Sequence, residues 1–335
     1  MQSRVASFTP LPVLWPYSLG AITRRVSVVE RPTFDENEWK RVFNLRGSEE
    51  RYILQTTHWL CIESDGEQYD ASMRLTESAT DLRTAMLAFQ IWAPKGWMGT
   101  IINAELTDAG SLRVANVQRP EPYATTRWGE LLSLKNLSVE ELGKLIDGVR
   151  SAIEAESTES RNPFQYLEIG LQTAFHHLKA GALLWMIGLD SLLAAQGEAL
   201  FASRLCRLLG ADTRIFPDDR VGRRPVYTVG GVAADIYQMR NQIAHGDRIR
   251  EAYLEKSNFR FDPPEPEYLR IGECTHQSVF LEAALFALVA ALRKVILDGH
   301  LELLRRPRAW KKYLGGENRS WTPNLTRLVT PVVGI

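Results

Sequence analysis

The spacing of apolar positions changes character near residue 135. Before it, short runs alternate between apolar and polar residues, as half-buried strands do. Residues 52–63 are rich in Ile, Thr, Trp and Leu and predict a strand. Ser64-Asp65-Gly66-Glu67 predicts a turn, and residues 69–75 a second strand pairing back on the first. Leu82, Met86 and Phe89 follow a helical period within residues 80–92, closed by Pro94 and Gly96. Residues 101–106 and 112–117 alternate again around Thr107-Asp108-Ala109-Gly110, which predicts a hairpin. The proline-rich stretch Pro10-Leu11-Pro12-Val13-Leu14-Trp15-Pro16 reads as an extended strand or packed arm.

Beyond residue 135 the period is helical. Ser138 and Glu141 form a capping box ahead of Leu142, Leu145, Ile146, Val149 and Ile153. Asn162-Pro163 is a second start signal. The helix or helix pair it opens reaches about residue 195 and contains His176 and His177, one expected buried and one exposed. Residues 198–209 form the next helix, ended by Gly210, and residues 274–297 are apolar on most of their surface, as a central core helix would be. The fold class expected is α+β: a small mixed domain of sheet and helix over 1–135, an all-helical bundle over 136–314, and a tail over 315–335.

Composition excludes several classes. The chain has 335 residues, 40 Lys and Arg, and 40 Asp and Glu, so its net charge is zero. Constitutive nucleic-acid binders are strongly basic overall, and this chain is not. Charge is unevenly spread, however. Residues 1–160 carry 17 basic and 22 acidic side chains, and residues 161–335 carry 23 and 18. Cys61, Cys206 and Cys274 make no C-x-x-C pair, which argues against a zinc site or a disulfide framework and fits a reducing, cytoplasmic setting. No run of apolar residues has the length of a membrane span, and the N-terminus lacks a signal-peptide layout. No metal-ligand spacing, phosphate loop or catalytic-triad pattern is evident, so no metal or cofactor is expected.

Chemistry concentrates in Tyr237-Gln238-Met239-Arg240-Asn241-Gln242-Ile243-Ala244-His245-Gly246. Val232, Ile236, Met239 and Ile243 fall on one helical stripe, which predicts the buried face. Tyr237, Arg240, Asn241 and His245 fall off it. Gly246 can take the left-handed conformation that stops a helix. An imidazole moves protons near neutral pH, and a fixed guanidinium can neutralise charge building on phosphorus. Arg240 and His245 are about 140° apart around the axis, so converging on one phosphate favours two copies face to face. Arg220, Arg223 and Arg224 cluster in the preceding loop as candidate phosphate contacts. A second basic group, Arg305, Arg306, Arg308, Lys311 and Lys312, is interleaved with Trp310 and Tyr313, either to stack bases or to cover a core tryptophan.

The motif resembles the R-x-x-x-x-H signature of HEPN domains, most closely the Apea-like branch. Two upstream segments fit the same pattern in the same order. Residues 183–193, Leu-Leu-Trp-Met-Ile-Gly-Leu-Asp-Ser-Leu-Leu, resemble the family's aliphatic helix, with Asp190 at its acidic position and Gly188 where Ala is usual. Residues 201–210, Phe-Ala-Ser-Arg-Leu-Cys-Arg-Leu-Leu-Gly, resemble its F-x-x-R-x-x-x-L-L-G helix, with Arg204 at the arginine. The resemblance covers roughly residues 160–300. It implies a dimeric, metal-independent endoribonuclease leaving a 2′,3′-cyclic phosphate, with an anti-phage defence or toxin role and an antitoxin or phage-derived trigger as partner. His245 would be general acid or base, Arg240 the transition-state cation, and Asn241 an orienting or phosphate-holding group. Asp190, in an apolar helix, would pair with Arg240 or Arg204. The alternative from another class is a non-catalytic dimerisation or nucleotide-binding module. A third reading places an unseen enzymatic site in the N-terminal sheet.

Overall fold

The computed structural model describes residues 4–42, 47–64, 71–97, 99–107, 111–124, 137–154, 162–215, 228–246 and 275–315. Its contacts divide the chain into two units, Met1–Ala155 and Glu156–Ile335. Helices and an antiparallel six-stranded sheet are both present, so the fold is mixed α+β.

The first unit is built on strands β1 (Arg4–Pro10), β2 (Gly20–Ala21), β3 (Val26–Glu30), β4 (His58–Ser64), β5 (Ile101–Leu106) and β6 (Leu112–Gln118). Their order is β2-β3-β4-β1-β5-β6. The N-terminal strand is therefore central, paired with β4 on one side and β5 on the other. Ala6 and Phe8 of β1 share a core with Trp59, Cys61, Ile102 and Ala104. Val42 of helix α1 (Glu36–Val42) and Ile53 of helix α2 (Gly47–Gln55) join that core. Helix α3 (Ala71–Trp92) packs on β1, β4 and β5. The 101–106/112–118 hairpin forms as expected, with a bulge between Asn103 and Ala104. At the bulge, Ser7 Oγ donates to Asn103 Oδ1 (2.6 Å), and Asn103 Nδ2 donates to Asn116 Oδ1 (2.6 Å).

Two expectations for this unit are overturned. Residues 52–55 are the last turn of α2, and the strand starts at His58. Residues 71–75, expected as a returning strand, are the first turn of α3. Leu75, Ala79, Leu82, Met86 and Phe89 are all buried at 4-3-4-3 spacing, so one helical stripe runs the whole length.

The division between the two units falls after Ala155. Helix α4 (Val139–Glu154) belongs to the first unit. Leu142, Leu145, Ile146 and Val149 are buried, and α4 packs on α3. Trp92 Nε1 donates to the Ser138 carbonyl (2.9 Å), and Arg150 Nε lies 3.2 Å from Asp81 Oδ1. A helical period identifies a buried face but not what covers it.

The second unit is helical: α5 (Pro163–His176), α6 (Leu178–Leu193), α7 (Glu198–Leu209), α8 (Val229–Ala244), α9 (Thr275–Leu297), α10 (Leu301–Leu304) and α11 (Pro307–Tyr313). Asn162 caps α5, its Oδ1 accepting from the Phe164 N–H (2.8 Å). His177 breaks the chain between α5 and α6, and both His176 and His177 are exposed, contrary to the one-buried expectation. The two helices fold back on each other through glycines. A Cβ on Gly170 would lie 2.4 Å from Trp185 Nε1, and one on Gly181 would lie 2.5 Å from Ala174 Cβ. Gly188 is tight for a related reason: a Cβ there would meet Leu288 Cδ2 and Tyr166 Cβ at 3.0 Å. The apolar α9 is the core helix, with Leu281, Leu285, Leu288 and Leu292 buried against its neighbours. Among the described residues no single helix is long and apolar enough to cross a membrane; α6 and α7 reach that length together but meet at 78°.

Candidate functional site

Helix α8 carries the site. Thr228 opens it, its Oγ1 accepting from the Gly231 N–H (3.3 Å). Val229, Val232, Ala233, Ile236 and Met239 are buried on its inner face. The stripe then turns. Gln242 is buried and Ile243 only half-buried, because the last step inward is three residues rather than four. The helix ends at Ala244. His245 is the capping residue, with φ −90° and ψ 1°, rather than a member of the last turn. Its backbone N–H donates to the Asn241 carbonyl (3.0 Å). Gly246 follows at φ +72° in open space, so its backbone angle rather than crowding calls for glycine there.

Four of the sequence-predicted residues come together on the outer face. Arg240 Nη2 donates to Asp190 Oδ2 of α6 (3.2 Å), and Arg240 Nη1 donates to Asn241 Oδ1 (3.0 Å). The Arg240 guanidinium lies 5.5 Å from the centre of the Tyr237 ring, within cation–π range. Tyr237 in turn packs on Phe201 of α7, ring centres 5.4 Å apart. The guanidinium is thus held from three sides while its side chain stays 30% exposed. The Asn241 carboxamide accepts from Arg240 and does not orient the imidazole of its own chain. The His245 side chain is exposed and makes no hydrogen bond among the described residues.

Asp190 pairs as expected, but its side chain is 17% exposed. A partly wet pair costs less to break than a fully buried one. Asp190→Ala is therefore expected to destabilise the protein by about 1–2 kcal/mol in chemical denaturation. A loss beyond roughly 3 kcal/mol would mean the carboxylate is sealed from water.

Arg204, the other arginine expected near Asp190, has a capping role at the end of α6. It is almost fully buried, and its Nη1 donates to the carbonyls of Leu193 (2.9 Å) and Ala194 (2.6 Å). Trp310 of α11, also buried, donates Nε1 to the Leu192 carbonyl (2.6 Å). Three consecutive carbonyls at the C-terminus of α6 are satisfied this way, and a cation suits the negative end of a helix. Ala194 sits there in the left-handed region at φ 46°. Arg204→Met keeps most of the volume but leaves carbonyls unpaired, with an expected loss of about 2–3 kcal/mol. A thermal or urea midpoint matching the wild type would refute this capping role. The burial of Trp310 also removes it as a base-stacking platform. The signal for Arg204 was in the sequence: it lies three residues after Phe201 and one before Leu205, on the apolar face of α7.

The basic loop residues Arg220, Arg223 and Arg224 lie outside the described residues. Among the described residues no three His, Cys, Asp or Glu side chains converge as a metal site. Burial pushes the Cys61 thiol up to about 12 and the Cys206 thiol up to about 11, so neither is a thiolate at neutral pH. Both are expected to stay unlabelled by a thiol reagent near neutral pH until the protein is unfolded; rapid native labelling at either would contradict their burial.

No family model, no curated protein and no solved structure matches the chain.

Proposed function

We propose that the chain is a metal-independent endoribonuclease of HEPN type, with Arg240 and His245 as its working pair. The observation that carries this reading is the arrangement of Arg240: a guanidinium held by Asp190, Asn241 and Tyr237, part-open to solvent, at a helix end that also presents an exposed histidine. An arginine that only covers apolar surface needs no such holding. One that must meet a phosphorane gains from it, because orientation is settled before substrate arrives.

In the proposed reaction the ribose 2′-oxygen attacks the adjacent phosphorus. The O2′–P bond forms and the P–O5′ bond breaks. One imidazole accepts the 2′-OH proton, and the 5′-oxygen leaves with a proton from a second acid. The products are a 2′,3′-cyclic phosphate and a 5′-hydroxyl. Arg240 balances charge on the equatorial oxygens. Asp190 and Asn241 position Arg240. Two protomers supply both acid and base if their α8 ends face each other. The half-buried Leu183, Leu184 and Ile187 lie along α6 beside Asp190 and offer an apolar surface for such a homodimer. The setting proposed is a cytoplasmic anti-phage or toxin effector held off by an antitoxin or phage-derived trigger.

The second reading is a non-catalytic module that binds nucleotide or RNA phosphate. It is favoured by the same ion pair, which already neutralises Arg240, and by a His245 side chain that makes no hydrogen bond among the described residues. The deciding experiment incubates purified protein with total RNA in excess EDTA and maps the new ends. Cyclic-phosphate ends that vanish with His245→Ala support the nuclease. Intact RNA bound with micromolar affinity supports the module.

A further inference from the structure

We propose that the C-terminal end of the helical unit carries a second phosphate-binding surface, built on α11 and the turn before it, that docks the backbone of single-stranded RNA through side chains other than Arg240. The choice of polyanion rests on the ribonuclease reading, whereas the place of the surface rests on geometry. Residues 301–315 hold five cations and one carboxylate in a chain of zero net charge. Trp310 and Leu314 bury one side of α11. Arg308, Lys311 and Lys312, at i, i+3 and i+4, stand exposed on the other, and Arg305 and Arg306 are exposed just ahead. The one carboxylate, Glu302, is taken by Arg305. Arg306, Arg308, Lys311 and Lys312 have no acidic partner among the described residues. Arg207 of α7 extends the row, since its Nη1 passes 2.8 Å from where a Cβ on Gly315 would lie.

The surface is seated rather than trailing. Trp310 is tied to the Leu192 carbonyl and stacks on Tyr313, ring centres 5.2 Å apart at 18°. Tyr313 shares a hydrogen bond with His300 Nε2 (3.0 Å). Leu192 is two residues beyond Asp190 on α6, so the cationic row and Arg240 hang from the same helix end. RNA suits this surface better than a membrane. Among the described residues, none of the large exposed hydrophobic side chains lies within it, and interfacial binding needs an apolar face to insert. Trp310 is buried, and Tyr313 is covered by Trp310 and His300. The row offers no free aromatic face to a base, so docking should be electrostatic and indifferent to sequence.

The test uses the full chain and a fluorescent 2′-O-methyl oligoribonucleotide of mixed sequence, which has no 2′-OH to attack. The variant combines Arg306→Ser, Arg308→Ser, Lys311→Ser and Lys312→Ser. Removing one phosphate contact should reduce the salt slope of log affinity by about 0.7. The variant should bind at least about tenfold more weakly at low salt and show a slope smaller by about 2–3. Lys40→Ser, which removes an exposed lysine of α1 outside both sites, should bind like the wild type. If the combined variant unfolds, Lys311→Gln with Lys312→Gln, both exposed, should still lower the slope by about 1.4. A wild-type slope in a folded variant overturns the proposal. So does binding to phosphatidylserine vesicles through these residues without binding to the oligonucleotide. A wild-type protein that binds through this row yet leaves ordinary RNA intact sinks the nuclease reading and keeps the surface.

Discussion

Replacing Arg240 with alanine is expected to slow RNA cleavage about 10²–10³-fold, the usual cost of losing one preorganised transition-state contact. The loss should fall on kcat more than on KM, because the guanidinium is already anchored by Asp190 and Asn241 before substrate arrives. Arg240→Lys should recover little. A lysine keeps the charge but cannot donate to Asp190, Asn241 and a phosphate at once in the planar fork that arginine provides. His245→Ala should be comparably inactive and should melt like the wild type, since the side chain is exposed. Arg240→Ala should also melt slightly lower, because Asp190 loses the cation at 3.2 Å. Asp190→Asn separates positioning from chemistry: it keeps a hydrogen-bond acceptor for Nη2 and should lower kcat by less than Arg240→Ala does. Wild-type cleavage by Arg240→Ala, or cleavage that requires added magnesium, would move the active site elsewhere in the chain.

How much of this was legible depended on whether a local signal had a local cause. The stripe Val232, Ile236, Met239 was readable because burial on one helix face follows its 3.6-residue period. The cap at Asn162 and the stop at Gly246 were readable because each is a property of one residue's hydrogen bonds or backbone angle. Asp190 could be assigned a charged partner because an isolated carboxylate in an apolar helix is costly, but which helix brings Arg240 to it was a matter of packing. The contacts of Arg204 with the Leu193 and Ala194 carbonyls answer bare positions that exist only once α6 ends at Leu193. The same limit explains α4. Its amphipathic face was clear, whereas its packing on α3 depended on Trp92 and Asp81, more than forty residues earlier. The first turns of α3 were hidden because Ser78 and Ala79 are small and give a weak apolar period, although both are buried.

Gly181→Val is expected to destabilise the protein by more than about 4 kcal/mol, enough to leave the helical unit largely unfolded at physiological temperature. The reason is where the clash falls. A Cβ at Gly181 would stand 2.6 Å from the Gly170 carbonyl oxygen and 2.8 Å from Ala174 Cα, which are backbone atoms and cannot rotate away. The helices α5 and α6 would have to separate, and α6 would carry Trp185, Leu189 and Asp190 with it. Separation also opens a gap against α9, which packs on both helices, so overpacking at one point becomes underpacking at another. Gly170→Ala should be milder, since its contacts under 3.0 Å are with the Trp185 indole, a side chain that can shift at some cost, while the nearest backbone atom, the Gly181 carbonyl oxygen, is 3.1 Å away. Gly246→Ala is the control. Among the described residues nothing lies within 4 Å of where a Cβ would stand, so the left-handed backbone angle is the penalty, and the expected loss is about 1 kcal/mol. Circular dichroism melts of the three variants should therefore rank Gly181→Val far below Gly170→Ala, and Gly170→Ala below Gly246→Ala. A Gly181→Val protein that melts within a few degrees of the wild type would mean that α5 and α6 do not approach this closely. The anchoring of Asp190, and with it the orientation of Arg240, would then need a different account.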